Sequence, residues 1–129
     1  MTSSRLEHVN LTVRDPRATA ELLGSLFGWH VRWQGEAIHG GFSMHVGGDD
    51  SYVALYTRET PARDELASYD RLNGLNHLGI VVDDLDDAEE RVTAAGLTPR
   101  SHADYEPGRR FYFDDADGLE FEVIAYDPS

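Results

Sequence analysis

The chain contains no cysteine, which excludes a disulfide framework and any thiolate-held metal. No apolar run approaches the ~20 residues needed to span a bilayer. The opening residues, MTSSRLEH, lack the apolar segment of a signal peptide, so a cytoplasmic protein outside the membrane is the expectation. Positive charge is also scarce. There are 11 Lys and Arg against 24 Asp and Glu, a formal net charge of −13. Such a chain repels phosphate backbones and anionic lipid, so neither nucleic acid nor a membrane is an expected partner. There is no G-x-G-x-x-G, no Walker loop and no G-x-S-x-G, and no segment of low complexity.

What the chain does contain is a repeat. Residues 6–13 read LEHVNLTV and residues 75–82 read LNHLGIVV. After the first come Asp15 and Pro16, suited to an N-cap and a first helical position, then Ala18, Leu22, Leu23, Leu26 and Phe27 at helical spacing, then Gly28. After the second come Asp83 and Asp84, then Leu85, Ala88, Val92 and Ala95, then Gly96. Three strand-like stretches follow each helix: 29–35, 41–46 and 52–57, then 99–103, 110–113 and 119–126. Each half therefore reads βαβββ. Residues 5–57 form one module and residues 75–126 the other, within a single 129-residue domain, and the polar stretch 58–74 connects them. Neither unit is large enough to bury its own sheet. The expected α+β architecture is two tandem modules whose mixed sheets curl around a shared concave cleft, with the helices outside.

Strand alternation then sorts the side chains. Val9, Leu11 and Val13 should cover a helix, leaving His8, Asn10 and Thr12 for the cleft. Leu78, Ile80 and Val82 do the same beside His77 and Gly79. Phe121 and Val123 turn Glu120 and Glu122 inward, and Phe111 and Phe113 turn Arg110 and Tyr112 inward. Aligning Gly28 with Gly96 lays Tyr52 to Leu55 over Glu120 to Val123. Four equivalent inner slots result, and they hold His8, Ala54, His77 and Glu122. Two imidazoles and a carboxylate aimed at one point can bind a divalent ion at roughly 2.0–2.2 Å. The same alignment lays His45 over Phe113, on the helix side, as a structural residue. His30, His39 and His102 fall near strand ends or loops and read as solvated.

HVNLTV with a helix ending LFGW, NHLGIVVDDLDDAEERVTAAG and GRRFYFDDADGLEFEV together resemble the vicinal oxygen chelate superfamily, the glyoxalase/bleomycin resistance/dioxygenase group. The resemblance covers nearly the whole chain. It implies metal ligands on the first and last strands of each module, which fall here on His8, His77 and Glu122. The fourth position falls on Ala54, where glyoxalase I and methylmalonyl-CoA epimerase typically carry glutamate or glutamine. The remaining set is similar to that of extradiol dioxygenases and of the fosfomycin-modifying thiol transferases. Tyr112 matches a tyrosine those transferases place in the cleft.

Two neutral imidazoles and one carboxylate leave a divalent ion with a local charge of about +1 and open coordination positions, where vicinal oxygens of a substrate can bind. Fe, Mn, Zn and Ni all suit such donors. The expectation is a metal-dependent enzyme acting on a small oxygen-rich or aromatic substrate, oriented by Tyr112 and Arg110 in a cleft lined by Asn10, Phe42, Tyr52, Ala54 and Tyr56. Glu120 is expected either to support a ligand or to lie beyond the rim. The alternative is a metal-free sequestering protein of the bleomycin resistance type, with a groove of Trp29, Trp33, Phe42, Tyr52 and Tyr56. Small members of the family usually build each cleft from two chains, so a homodimer is expected.

Overall fold

The computed structural model describes residues 6–58, 68–70, 75–105 and 108–126. It divides into two compact units, Met1–Ala62 and Arg63–Ser129. The first carries β1 (His8–Thr12), α1 (Pro16–Phe27), β2 (His30–Ala37), a 3-10 turn at Ile38–Gly40, β3 (Gly41–Gly47) and β4 (Tyr52–Thr57). The second carries a 3-10 turn at Ser68–Asp70, β5 (His77–Val81), α2 (Leu85–Ala94), β6 (Arg100–Tyr105), β7 (Gly108–Asp114) and β8 (Glu120–Tyr126). The two sheets have the same plan. Their orders are β1-β4-β3-β2 and β5-β8-β7-β6, with the first pair in each parallel and the others antiparallel. The greater part of the expected connector lies outside the described residues.

Both helices start as their sequences dictate. The Asp15 carboxylate accepts from the Arg17 and Ala18 amides, and Pro16 takes the first position, where no amide proton is needed. Gly28 closes α1 at φ 72°, the left-handed conformation glycine adopts without a Cβ penalty. Asp84 caps α2 through the Asp87 amide, and Asp86 and Asp87 lie in its positive first turn. The buried face of α1 is Thr19, Ala20, Leu23 and Leu26; that of α2 is Leu85, Ala88 and Val92. In the second unit Phe111, Phe113, Phe121 and Val123 are fully buried on the helix side, and the Phe113 and Phe121 rings stack at 5.0 Å.

The β1–β4 and β5–β8 registers agree residue for residue. Asn10 pairs with Ala54, and Gly79 with Glu122. The hairpins do not agree. Residues 48–51 join β3 to β4, whereas residues 115–119 join β7 to β8, one residue more. The longer turn is closed by the Asp115 carboxylate, which accepts from the Asp117 and Leu119 amides at 2.9 and 3.0 Å. One residue of offset exchanges the faces of a strand. His45 consequently pairs with Ala54 as Tyr112 pairs with Glu122, so His45 lies on the face turned away from the helix and not on the helix side. For the same reason Phe42 is not on that free face. It shares the helix face with Met44 and Val46, and the Arg17 guanidinium of α1 stands 5.2 Å from its ring centroid.

Candidate functional site

In the second unit β5 and β8 are parallel neighbours, which brings His77 beside both inward acids of β8. The imidazole Nδ1 lies 3.1 Å from the Tyr69 hydroxyl and 3.3 Å from Glu120 Oε1. The same hydroxyl donates to Glu120 Oε1 at 2.6 Å. Its only proton is thus committed to the carboxylate, and the network assigns the histidine proton to Nδ1, donating to the Tyr69 oxygen. Nε2 lies 3.4 Å from Glu122 Oε1.

Two electron-rich atoms facing each other at that separation favour a proton or a metal cation between them. Donors held ~2.1 Å from one ion and 3.4 Å apart subtend about 108° at it, close to the tetrahedral angle. An imidazole whose other nitrogen is fixed by hydrogen bonding is also the usual arrangement of a metal-bound histidine. His77 and Glu122 therefore fit a divalent ion. Arg110 donates to Glu122 Oε2 at 2.8 Å and to the Gly108 carbonyl at 3.3 Å. It is only 9% exposed, and it fixes the carboxylate so that Oε1 points at His77. Tyr112 meets the His77 ring edge-on at 5.9 Å.

Further support comes from residues outside the expected set. Arg100 bridges Glu120 Oε2 at 2.8 Å and Asp114 at 2.9 Å. Glu120 is thereby held below its ordinary carboxylate pKa, first by the Tyr69 hydroxyl and then by Arg100. The hydrogen bond to Glu120 pushes the Tyr69 phenol up in turn. Nothing in the sequence signals Tyr69, which belongs to the polar connector. Arg109 reaches the helix side, 3.7 Å from Asp86 of α2, as its parity implies.

The free face of the first sheet is built differently. His8 Nδ1 lies 2.9 Å from Glu7 Oε1. Its ring stacks on Tyr52 at 4.8 Å, and Tyr52 stacks on His45 at 4.5 Å. Trp33 tilts against His45 at 4.9 Å, and the Arg32 guanidinium lies over Tyr52 at 4.5 Å. Loss of solvation, aided by the charges of His8 and Arg32, pushes the His45 pKa down. Trp33, Tyr52 and Tyr56 thus share the free face, whereas Trp29 packs beside Phe27 at the end of α1. Ala54 is 2% exposed. Asn10 and Tyr56 line a cavity of about 360 Å³ on the same face. Among the described residues no group of three or more His, Asp or Glu side chains could hold a metal ion.

The family model for the glyoxalase/bleomycin resistance protein/dioxygenase superfamily matches residues 5–123. The chain belongs to that superfamily. Among solved structures, the superfamily's glyoxylase/bleomycin resistance protein/dioxygenase domain from Frankia sp. EAN1pec superposes with a TM-score of 0.83 at 23% identity, covering 99% of this chain and 96% of that one. The fosfomycin resistance protein FosX from Mesorhizobium loti gives 0.70 at 28% identity, over 95% and 92%. FosX from Listeria monocytogenes, in complex with Mn(II) and sulfate, gives 0.73 at 20% identity, over 98% and 95%. No curated protein matches the chain. These superfamily structures share the α+β plan of tandem modules seen here. Among the described residues no helix is long and apolar enough to cross a membrane.

Proposed function

We propose that this superfamily member is a metal-dependent enzyme in which His8, His77 and Glu122 hold one divalent ion. The observation that carries the reading is the 3.4 Å approach of His77 Nε2 to Glu122 Oε1, with each group fixed from behind by Tyr69 and Glu120 or by Arg110. His8 is the third donor. It occupies in the first sheet the register place of His77 in the second, and in a homodimer it would come from the other copy. The Mn(II) bound by the Listeria protein supports divalent metal chemistry on this fold.

When bound, the ion supplies a Lewis acid for two neighbouring substrate oxygens. The chain's own residues set its strength. Ala54 adds no second carboxylate, and Arg110 already neutralises Glu122, so little protein charge opposes the ion. We assign to Tyr112, whose ring meets His77 edge-on, the task of orienting the substrate or passing a proton through its hydroxyl. Arg110 acts by aligning Glu122, since its guanidinium is buried against that carboxylate. This chain has neither cysteine nor lysine, so thiolate and Schiff-base nucleophiles are excluded, consistent with Lewis-acid chemistry.

The test is elemental analysis of protein purified without chelator, followed by titration of the stripped protein with Mn(II), Fe(II), Zn(II) and Ni(II). One ion per site is expected, with affinity falling at least a hundredfold in His77→Ala and Glu122→Gln. No binding of any of the four would remove the proposal. The aromatic stack of His8, Tyr52, His45 and Trp33 favours a second reading, a metal-free binder of planar aromatic compounds. Quenching of tryptophan fluorescence by such compounds, in protein that takes up no metal, would support it.

A further inference from the structure

We infer that the cavity of the first unit is a binding site for a small organic oxyanion, a carboxylate or a phosphonate. Asn10, Thr12, Ile38, His39, Tyr56 and Arg58 line it, and its volume of about 360 Å³ lies within the range of small-molecule sites. Four of these six side chains carry N–H or O–H groups able to meet oxygen acceptors: the Arg58 fork, the Asn10 amide, the Thr12 hydroxyl and the His39 ring. Among the described residues no lining side chain is acidic, although the chain as a whole carries −13. A guanidinium surrounded by neutral donors suits a carboxylate or phosphonate group, which it can grip with two parallel hydrogen bonds.

The repeat provides an internal control. At the places of Asn10, Thr12 and Tyr56, the second sheet carries Gly79, Val81 and Ile124. Gly79 and the two apolar side chains satisfy the fold equally well, so strand pairing does not demand the polar set. The cavity wall is also held in a costly form. His39 sits at φ 61° and ψ 33°, a left-handed conformation that side chains other than glycine rarely adopt and that clusters at ligand sites. Tyr56 pins this turn by donating its hydroxyl to the Ile38 carbonyl at 2.8 Å. The Thr57 hydroxyl lies 3.4 Å from the carbonyls of both Arg14 and Arg58 and can donate to either one at the exit of β4.

The inference stands on the first unit alone and does not need the metal proposal. The two are compatible, because Asn10 and Thr12 follow His8 on the same face of β1, about 6.6 and 13 Å along the strand. A ligand anchored at Arg58 could therefore extend toward His8.

The experiment uses the full chain, stripped of metal and dialysed free of chelator, titrated with benzoate, phenylphosphonate and neutral benzamide while backbone amide resonances are followed. Benzoate or phenylphosphonate should shift residues 10–12, 38–40 and 56–58, and their relative affinities identify the preferred headgroup. Benzamide should leave those residues unmoved at the same concentration. Arg58→Gln should weaken binding at least tenfold. His39→Gly should weaken it several-fold with a melting temperature no lower than that of the wild type, because glycine relieves the backbone while removing the ring. Equal binding of benzamide, shifts confined to other residues, no shift at 10 mM ligand, or unchanged affinity in Arg58→Gln would each overturn the assignment.

Discussion

Ala54 and Glu122 hold the same place in their two sheets. Asn10 lies opposite one and Gly79 opposite the other, while His45 and Tyr112 are their antiparallel partners. The duplicated backbone thus offers a carboxylate in one unit and a methyl group in the other. Because Ala54 is 2% exposed, Ala54→Glu buries a carboxylate. In stripped protein this should cost about 2–4 kcal/mol in urea unfolding. If the proposed ion sits beside this place, adding Mn(II) or Zn(II) should recover most of the loss. A variant whose stability ignores metal would place the ion elsewhere.

Arg110 and Glu122 form a pair with side chains 10% and 13% exposed. Glu122→Ala leaves the guanidinium buried without its anion and should cost about 3–5 kcal/mol, more than Arg110 and Glu122 together replaced by Met and Leu. Chemical denaturation of the three proteins decides the order. A double variant less stable than Glu122→Ala would contradict it.

Glu120 links stability to acid. Its carboxyl is held below 4.5 by Tyr69 and Arg100, so the folded state binds its proton less readily than the unfolded chain. The stabilisation is complete above the ordinary glutamate value and is lost as pH falls through the depressed one. The stability gap between wild type and Glu120→Gln should accordingly be constant near neutrality and shrink below about pH 4.5. A gap independent of pH would show that the Tyr69 and Arg100 bonds do not form in solution.

Asp115 has the opposite sign. Burial raises its pKa above 3.8, although the Leu119 and Asp117 amides partly oppose this. Its folded form binds a proton more tightly, so its contribution falls as pH rises from the ordinary aspartate value through the raised one. Asp115→Asn, which keeps an acceptor oxygen for the two amides, should match or exceed wild-type stability at pH 7. Asp115→Ala, which orphans both, should lose about 1–2 kcal/mol. Melting temperatures of the two variants across pH 3–7 provide the comparison.

His45 is expected to report on the aromatic stack. Its ring lies against Trp33, and lost solvation pushes its pKa below 6.5. An imidazolium quenches a neighbouring indole, so Trp33 emission in a Trp29→Phe background should drop with a midpoint below 6.5. His45→Asn should abolish the step. A step that survives this substitution would assign the quenching to another group.

The sequence by itself determined the two βαβββ units, the caps at Asp15 and Asp84, and the register that gives His8 and His77, and likewise Ala54 and Glu122, equivalent places in their own sheets. These follow from local chemistry and from a repeat whose helix-closing glycines, Gly28 and Gly96, fix the spacing. Only the tertiary structure decided the rest. The extra residue in the turn held by Asp115 reverses the parity of one central strand, so His45 moved to the free face and Phe42 to the helix face. Parity accumulates along a strand, and a single residue of hairpin length is invisible to hydrophobic pattern. The hold of Tyr69 on Glu120, the reach of Arg100 to the same carboxylate, and the pinning of the Ile38 turn by Tyr56 likewise join residues from different elements. Such contacts arise from where a folded backbone carries its side chains, which no local preference encodes.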